Sequence, residues 1–295
     1  MRIFLTGASG GLGQCLLPRL VAAGHHIVVL VRNPEVFHSR ERVVVVAGDI
    51  CKPETYAHAL YDIDVILHLA ALTHSSKLQD YTAVNDQATA DLIRQAQNTN
   101  FSGRFVYVST RAAHPECGGY GASKAAAEKH VRESGFDFTI LRPAEVYGTA
   151  KPEAVSKLAH AAASGFCVML PGAGHYTLAP VYAENVHDAL LASLESPAAS
   201  QQTYDLAGPD VLTCREFVKR IMEAKNRKRP IFPIPLILLA WAARLFALIG
   251  MKHPPLTADQ IPRLTCQKSA DIEPAGRDLN YYPIDIETAL SQGLL

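Results

Sequence analysis

The chain has 295 residues, 48% of them apolar and 19% charged, enough for one large domain or for a domain with a smaller lobe attached. Lysine plus arginine and aspartate plus glutamate both number 28, so the formal charge is zero. No broad basic surface is available to a phosphate backbone, which excludes nucleic acid as a partner.

A strand pattern starts almost directly after Met1, so no signal peptide is expected. Runs of Val, Ile and Leu without alternation then exchange with helical stretches, as in a parallel sheet buried on both faces. The predicted strands are Arg2–Thr6, His26–Val31, Val43–Val46, Val65–Leu69, Phe105–Ser109 and Phe138–Leu141. Helices are predicted to begin near Gly11, Pro53, Asp80, Gly119 and Pro152. With right-handed crossovers this is an α/β fold, a Rossmann-type doubly wound sheet.

After Gly148 the rhythm loosens. Pro171-Gly172-Ala173-Gly174 predicts a turn, Pro180-Val181-Tyr182 an extended piece and Glu184–Leu194 a helix. Prolines 230, 233, 235, 254, 255, 262, 274 and 283 crowd the shorter segments that follow. The expected division is a dinucleotide-binding domain over 1–150 and a smaller C-terminal substrate lobe over 151–295. Part of 176–207 is expected to return to the first domain.

Cys15, Cys51, Cys117, Cys167, Cys214 and Cys266 include no Cys-x-x-Cys pair. A chain with its own core needs no staples, so reduced thiols and a cytoplasmic location are expected, with Cys117 an ordinary loop thiol. The 12 histidines show no ligand spacing such as His-Glu-x-x-His, so no metal is expected.

Three motifs carry chemistry. Thr6-Gly7-Ala8-Ser9-Gly10-Gly11-Leu12-Gly13 follows the first strand and opens a helix. Glycines 7, 10 and 13 permit a tight turn and a close backbone approach, and the helix start offers free N–H groups to a pyrophosphate. Gly7, Ser9, Gly10, Gly11, Leu12 and Gly13 are therefore candidate cofactor contacts. The second strand ends Leu30-Val31-Arg32-Asn33, with no acid to read a ribose 2′-hydroxyl. Arg32 suits a 2′-phosphate instead, which favours NADP(H), with NAD(H) as the alternative.

In the third motif, Tyr120-Gly-Ala-Ser-Lys124, Tyr and Lys stand four apart and share one helix face. A phenol ionises near pH 10 in water, and a nearby ammonium lowers that value. With the hydroxyl of Thr110, or alternatively Ser109, beside it, Tyr120 can move a proton to or from a carbinol oxygen.

Lys225-Asn-Arg-Lys-Arg229 precedes an apolar stretch, Ile231 to Gly250, whose longest uncharged run is Ile231 to Ala243. That run is too short to span a bilayer. It is read as a buried core or homodimer contact in preference to a membrane-surface anchor. As a lid over the pocket it would suit a lipid, sterol or aromatic alcohol.

With these pieces in place the chain resembles the short-chain dehydrogenase/reductase superfamily, in its extended or atypical branch, the NAD-dependent epimerase/dehydratase family. Gly48-Asp49-Ile50 is similar to the family's adenine contacts, and His68-Leu69-Ala70-Ala71 to the segment lying along the cofactor. Arg142-Pro143-Ala144-Glu145-Val146-Tyr147-Gly148 resembles the border of the nicotinamide, and Pro180-Val181-Tyr182-Ala183-Glu184-Asn185-Val186 a further family signature. The resemblance implies cofactor contacts at Asp49, Ile50, Leu69, Ala70, Ala71, Pro143 and Val146. It implies Tyr120 as acid/base, Lys124 on the nicotinamide ribose and Thr110 or Ser109 orienting the substrate oxygen.

Only nine residues separate Thr110 from Tyr120, shorter than in the family's sugar-nucleotide enzymes. His114 is read as capping this loop or contacting substrate, the cap being preferred, and Asn85 as a structural bond towards the active-site helix. The expected function is an NAD(P)-dependent oxidoreductase or epimerase acting on a secondary alcohol or ketone of unassigned class. The alternative is a dinucleotide-binding module for assembly or redox sensing, without turnover.

Overall fold

Unbroken β-branched and leucine runs form β1 (Arg2–Thr6), β2 (His26–Val31), β3 (Val43–Ala47), β4 (Val65–His68), β5 (Arg104–Val108) and β6 (Asp137–Pro143). The computed structural model describes all residues except 38–40, 152, 250, 252–256 and 267. The expectations on Pro152, Gly250, Pro254 and Pro255 fall outside the described residues.

A seventh strand, Gln202–Leu206, completes the sheet, whose order from one edge is Gln202–Leu206, β6, β5, β4, β1, β2, β3. Every pairing in it is parallel. The chain runs outward from β1 to β3 and then returns to β4 on the other side of β1. This reversal opens the crevice at the carboxyl ends of β1 and β4 in which ligands of such sheets bind.

Alternate residues feed two cores. Ile3 and Leu5 join Leu16 and Leu20 of helix α1 (Gly11–Ala22) on one face. Phe4, Ile66 and Phe105 pack with Leu92 and Ile140 on the other. The stretch from Pro53 forms only two 3₁₀ turns, Pro53–Thr55 and Ala57–Leu60, where a helix is predicted. Asp62, with φ of 55°, redirects the chain into β4 before a helix can propagate. The helix predicted near Asp80 is Leu78–Tyr81, a π-helical Thr82–Gln87 and then Ala88–Asn98.

Tyr147, Leu170, Phe217, Ile221 and Ile286 form a third cluster, in the chain after β6. Beside it Val168–Pro171 pairs in parallel with Ile231–Ile234, which leads into the helix Leu236–Leu248. That helix corrects the core reading of this stretch and leaves the homodimer reading untouched: in the single chain Trp241 is 64% and Leu248 86% exposed, while Ala243 is buried. It is apolar around most of its circumference; Leu236, Leu239 and Phe246 are half-buried, and Leu236 packs against Gly172. Among the described residues no helix is long and apolar enough to cross a membrane.

The expectation of six reduced thiols is also corrected. Cys117 and Cys266, 149 residues apart in sequence, are disulfide-bonded with their Cα atoms 5.4 Å apart. Cys15, Cys51, Cys167 and Cys214 are free. Spacing in the sequence carries no trace of a pairing made only by tertiary approach. Unfolded without reductant, the protein should therefore react four thiols with a chromogenic disulfide reagent, and all six after reduction. Cys266→Ser should lower the unfolding free energy by about 2–4 kcal/mol in urea titrations. Six reactive thiols before reduction would show that the pair does not form.

Candidate active site

The phosphate turn depends on a missing Cβ. Gly7 has φ of +78°, and a Cβ there would lie 2.6 Å from Ala70 N and 2.7 Å from the carbonyl carbon of Leu69. A Cβ at Gly13 would strike the Gly7 carbonyl oxygen. The turn closes with Gly10 N donating to Gly7 O at 2.9 Å. Helix α1 then begins with no side-chain cap and no acid in its first turn, leaving its N–H groups to an anion. This cradle fits a dinucleotide pyrophosphate. Lys151, whose Nζ donates to Ser9 O at 2.8 Å, adds a cation at its rim.

The end of β4 is held by a directional relay. Thr89 Oγ1 spends its proton on Asn85 O (2.7 Å), so it accepts from His68 Nε2–H (3.0 Å). Nδ1 of the neutral ring accepts from Thr6 Oγ1 (2.6 Å), which also accepts from Ala70 N–H (3.2 Å). Burial, reinforced by Lys124, lowers the His68 pKa to about 3, so the imidazole is neutral and its tautomer fixed. Asn85 in turn takes Leu72 N at 2.7 Å and donates to Ser123 Oγ at 3.0 Å, joining the β4 segment to the active-site helix. Leu69 and Ala70 are half-buried across from Gly7, and Ala71 is exposed.

Arg32 stands exposed just past β2. Burial raises the Cys51 thiol, Asp49 raises it further and Arg32 opposes both. Asp49 also accepts from Cys51 N at 3.0 Å, and Ile50 beside it is buried. Pro143 ends β6, and Val146–Tyr147 runs parallel to Val181–Tyr182.

Tyr120 lies in the first turn of the helix Gly118–Arg132, with Lys124 one turn on. Burial pushes the Tyr120 phenol up to about 12, while Arg263 and the neighbouring Thr110 hydroxyl pull against it. Lys124 is not the cation at the phenol: its Nζ donates to Val108 O at 2.8 Å and sits 4.1 Å over the Tyr107 ring. In that dry position burial lowers the Lys124 pKa to about 7, opposed by Glu128. Ser109, the alternative hydroxyl, is committed elsewhere, donating to Glu128 Oε1 at 2.6 Å. Thr110 is thus the hydroxyl beside the phenol. His114 caps its loop, as expected, with Nδ1 accepting from Glu116 N at 3.3 Å.

The cation at Tyr120 comes from the far end of the chain. Arg263, on the short helix Gln260–Thr265, lies 4.5 Å from the centre of the Tyr120 ring. It pairs with Asp259 at 3.2 Å and donates to Thr73 O at 2.9 Å. Asp259 Oδ1 also accepts from Gly119 N at 2.5 Å and Tyr120 N at 3.4 Å, so one carboxylate caps the catalytic helix and anchors the arginine. The Cys117–Cys266 disulfide clips this cap down.

Beyond the clip, Lys268 Nζ lies 3.5 Å from Glu145, which also takes Arg111 Nη2 at 2.7 Å and Ala179 N at 3.1 Å. Burial raises the Glu145 carboxyl, but Arg111 and Lys268 together hold it below its usual value. Sequence reasoning missed Lys151, Asp259, Arg263 and Lys268. None sits in a recognisable motif, and each acts across more than a hundred residues of chain.

Residues 7–164 match the family described as NAD(P)H-binding. A 2-alkyl-3-oxoalkanoate reductase of Stenotrophomonas maltophilia is 28% identical, over 100% of this chain and 97% of its own. A ceramide reductase of Caulobacter vibrioides is 30% identical, over 81% of this chain and 76% of its own. A 3 beta-hydroxysteroid dehydrogenase/Delta 5→4-isomerase of Mycobacterium tuberculosis is 26% identical over 96% and 86%. In fold, the chain superposes on the UDP-glucuronic acid 4-epimerase of Bacillus cereus with a TM-score of 0.77 at 20% identity, covering 100% and 96% of the two chains. The chain belongs to the NAD(P)H-binding family, among the extended short-chain dehydrogenases, reductases and epimerases, and is an NAD(P)-dependent oxidoreductase/epimerase.

Proposed function

We propose that the protein reduces a ketone with NADPH, Tyr120 giving the proton and Thr110 holding the carbonyl oxygen. The direction is supported by the relatives named as reductases, and the Tyr120 phenol, pushed up to about 12 by burial, holds a proton at neutral pH that it can give to a carbonyl oxygen. The nicotinamide, when bound, supplies the hydride. The glycine turn and the α1 N-terminus would hold its pyrophosphate, Asp49 and Ile50 its adenine, and Leu69, Ala70, Ala71, Pro143 and Val146 its flank. Lys124, one helical turn on from Tyr120, would take the ribose hydroxyls. Arg32 would read a 2′-phosphate, which supports NADP(H) over NAD(H).

The relatives named as reductases of a 2-alkyl-3-oxoalkanoate and a ceramide support a ketone on an apolar chain as the substrate class. The same proposal keeps residues 1–150 as the cofactor domain and 151–295 as the substrate lobe, with Gln202–Leu206 lent back to the sheet. The cytoplasm is proposed as the site of action on the supply of NADPH alone, since the Cys117–Cys266 disulfide removes the argument from reduced thiols.

Loss of NADPH absorbance against 3-oxoacyl esters, 3-ketosteroids and nucleotide sugars tests the reaction. Tyr120→Phe should lower turnover of the responsive ketone by about 10²–10⁴-fold while still binding NADPH. Full turnover in that folded variant would remove the mechanism. Arg32→Ala should cut the preference for NADPH over NADH by about tenfold or more, and an unchanged ratio refutes its role.

Alcohol oxidation, which needs the phenolate, should rise with pH. Arg263→Gln removes a cation that favours the phenolate, so its rising limb should move to higher pH by on the order of one unit. Arg263→Lys should restore part of that shift. An unmoved limb in Arg263→Gln would leave Arg263 a purely structural residue.

A further inference from the structure

We infer that the helix Leu236–Leu248 and the basic segment before it form a docking surface for an anionic lipid bilayer, on which the protein sits without spanning it. This goes beyond the reaction proposed above and does not depend on it.

Ile237, Leu238, Trp241, Leu245, Leu248 and Ile249 are each more than half exposed. At about 100° per residue they fall within roughly 120° of arc, so the exposed apolar side chains form one stripe. The neighbouring strand pair extends it, since Met169 and Phe232 are register partners and are 62% and 54% exposed. Phe166, at 92% exposure, precedes them. An apolar surface of this extent on a chain otherwise able to bury its core marks a partner.

Charge identifies the partner. The cleft at the start of this segment is lined by Lys219, Arg227, Lys228 and Arg229, with Glu223 the one acid among its lining residues. Cations beside an apolar helix face, with a tryptophan in that face, match a headgroup layer that is negatively charged. Arg244 is exposed at the edge of the stripe. At a bilayer its long side chain reaches the headgroups while its methylenes stay apolar. A second copy of the chain suits the face less well, because two-fold pairing centred on the helix would set Arg244 against its own counterpart. At 13 residues the helix is about 20 Å long against a hydrocarbon core of about 30 Å, so it lies in the interface.

Trp241 is the single tryptophan of the chain and reports on the middle of the face. Vesicles of phosphatidylcholine with about 30% phosphatidylglycerol should shift its emission to shorter wavelength and carry the protein down on sedimentation. Pure phosphatidylcholine, or about 0.5 M salt, should weaken binding by at least tenfold. Arg227→Glu with Lys228→Glu should weaken it by at least tenfold, and Leu245→Glu should abolish the shift, with NADPH binding kept in both as the control for folding. An unshifted emission with anionic vesicles overturns the inference. So does a shift that grows with protein concentration in the absence of lipid, accompanied by dimers in sedimentation velocity, which would assign the face to a second copy.

Discussion

A single buried carboxylate arranges the catalytic side of the molecule. Glu128, 1% exposed, accepts from Ser109 Oγ at 2.6 Å, from Arg142 Nε at 2.8 Å and from Arg132 Nη2 at 2.8 Å. It thereby ties the active-site helix to the ends of β5 and β6. Burial opposes its ionisation, and Arg142 with Ser109 more than offsets this, so it remains charged well below neutrality. A buried charge held this way costs about 3–5 kcal/mol when one partner is removed. Committing Ser109 to Glu128 leaves Thr110 as the candidate hydroxyl for Tyr120. The choice between the two hydroxyls is made by a residue that never approaches the phenol.

Lys124 shows the same priority of burial over motif. Four residues along a helix put it on the same face as Tyr120, but an ammonium in a dry interior goes to the nearest acceptor, here the Val108 carbonyl. With its pKa lowered to about 7, both protonation states are accessible near neutrality, and a ligand hydroxyl arriving at Nζ can select the charged one. The cation that faces the phenol is a different one, Arg263.

What the sequence made legible follows from range. The parallel strands were readable because burial on both faces demands unbroken runs such as Ile27 to Val31, and the phosphate turn because Gly7 and Gly13 answer to steric contacts within one βα unit. Interactions that close across the fold left no local mark. Cys117 meets Cys266 over 149 residues, and Asp259 meets Gly119 over 140. The helix Leu236–Leu248 was read as buried for a related reason. Composition reports how apolar a segment is, and nothing about whether the protein has a surface to set against it.

The cap helix joins two properties that are usually separate. Asp259 supplies the anion at the N-terminus of the catalytic helix and also the counter-charge of Arg263, which lies over Tyr120. Lifting the cap would strip the helix of its terminal anion and the phenol of its cation in one movement. The charge at the helix terminus and the cation beside Tyr120 thus depend on the position of one short segment, which the disulfide ties to the start of the same helix. Because the helix Leu236–Leu248 precedes the cap in the chain and touches it, whatever holds that apolar face also bears on the segment that sets Arg263 beside the tyrosine.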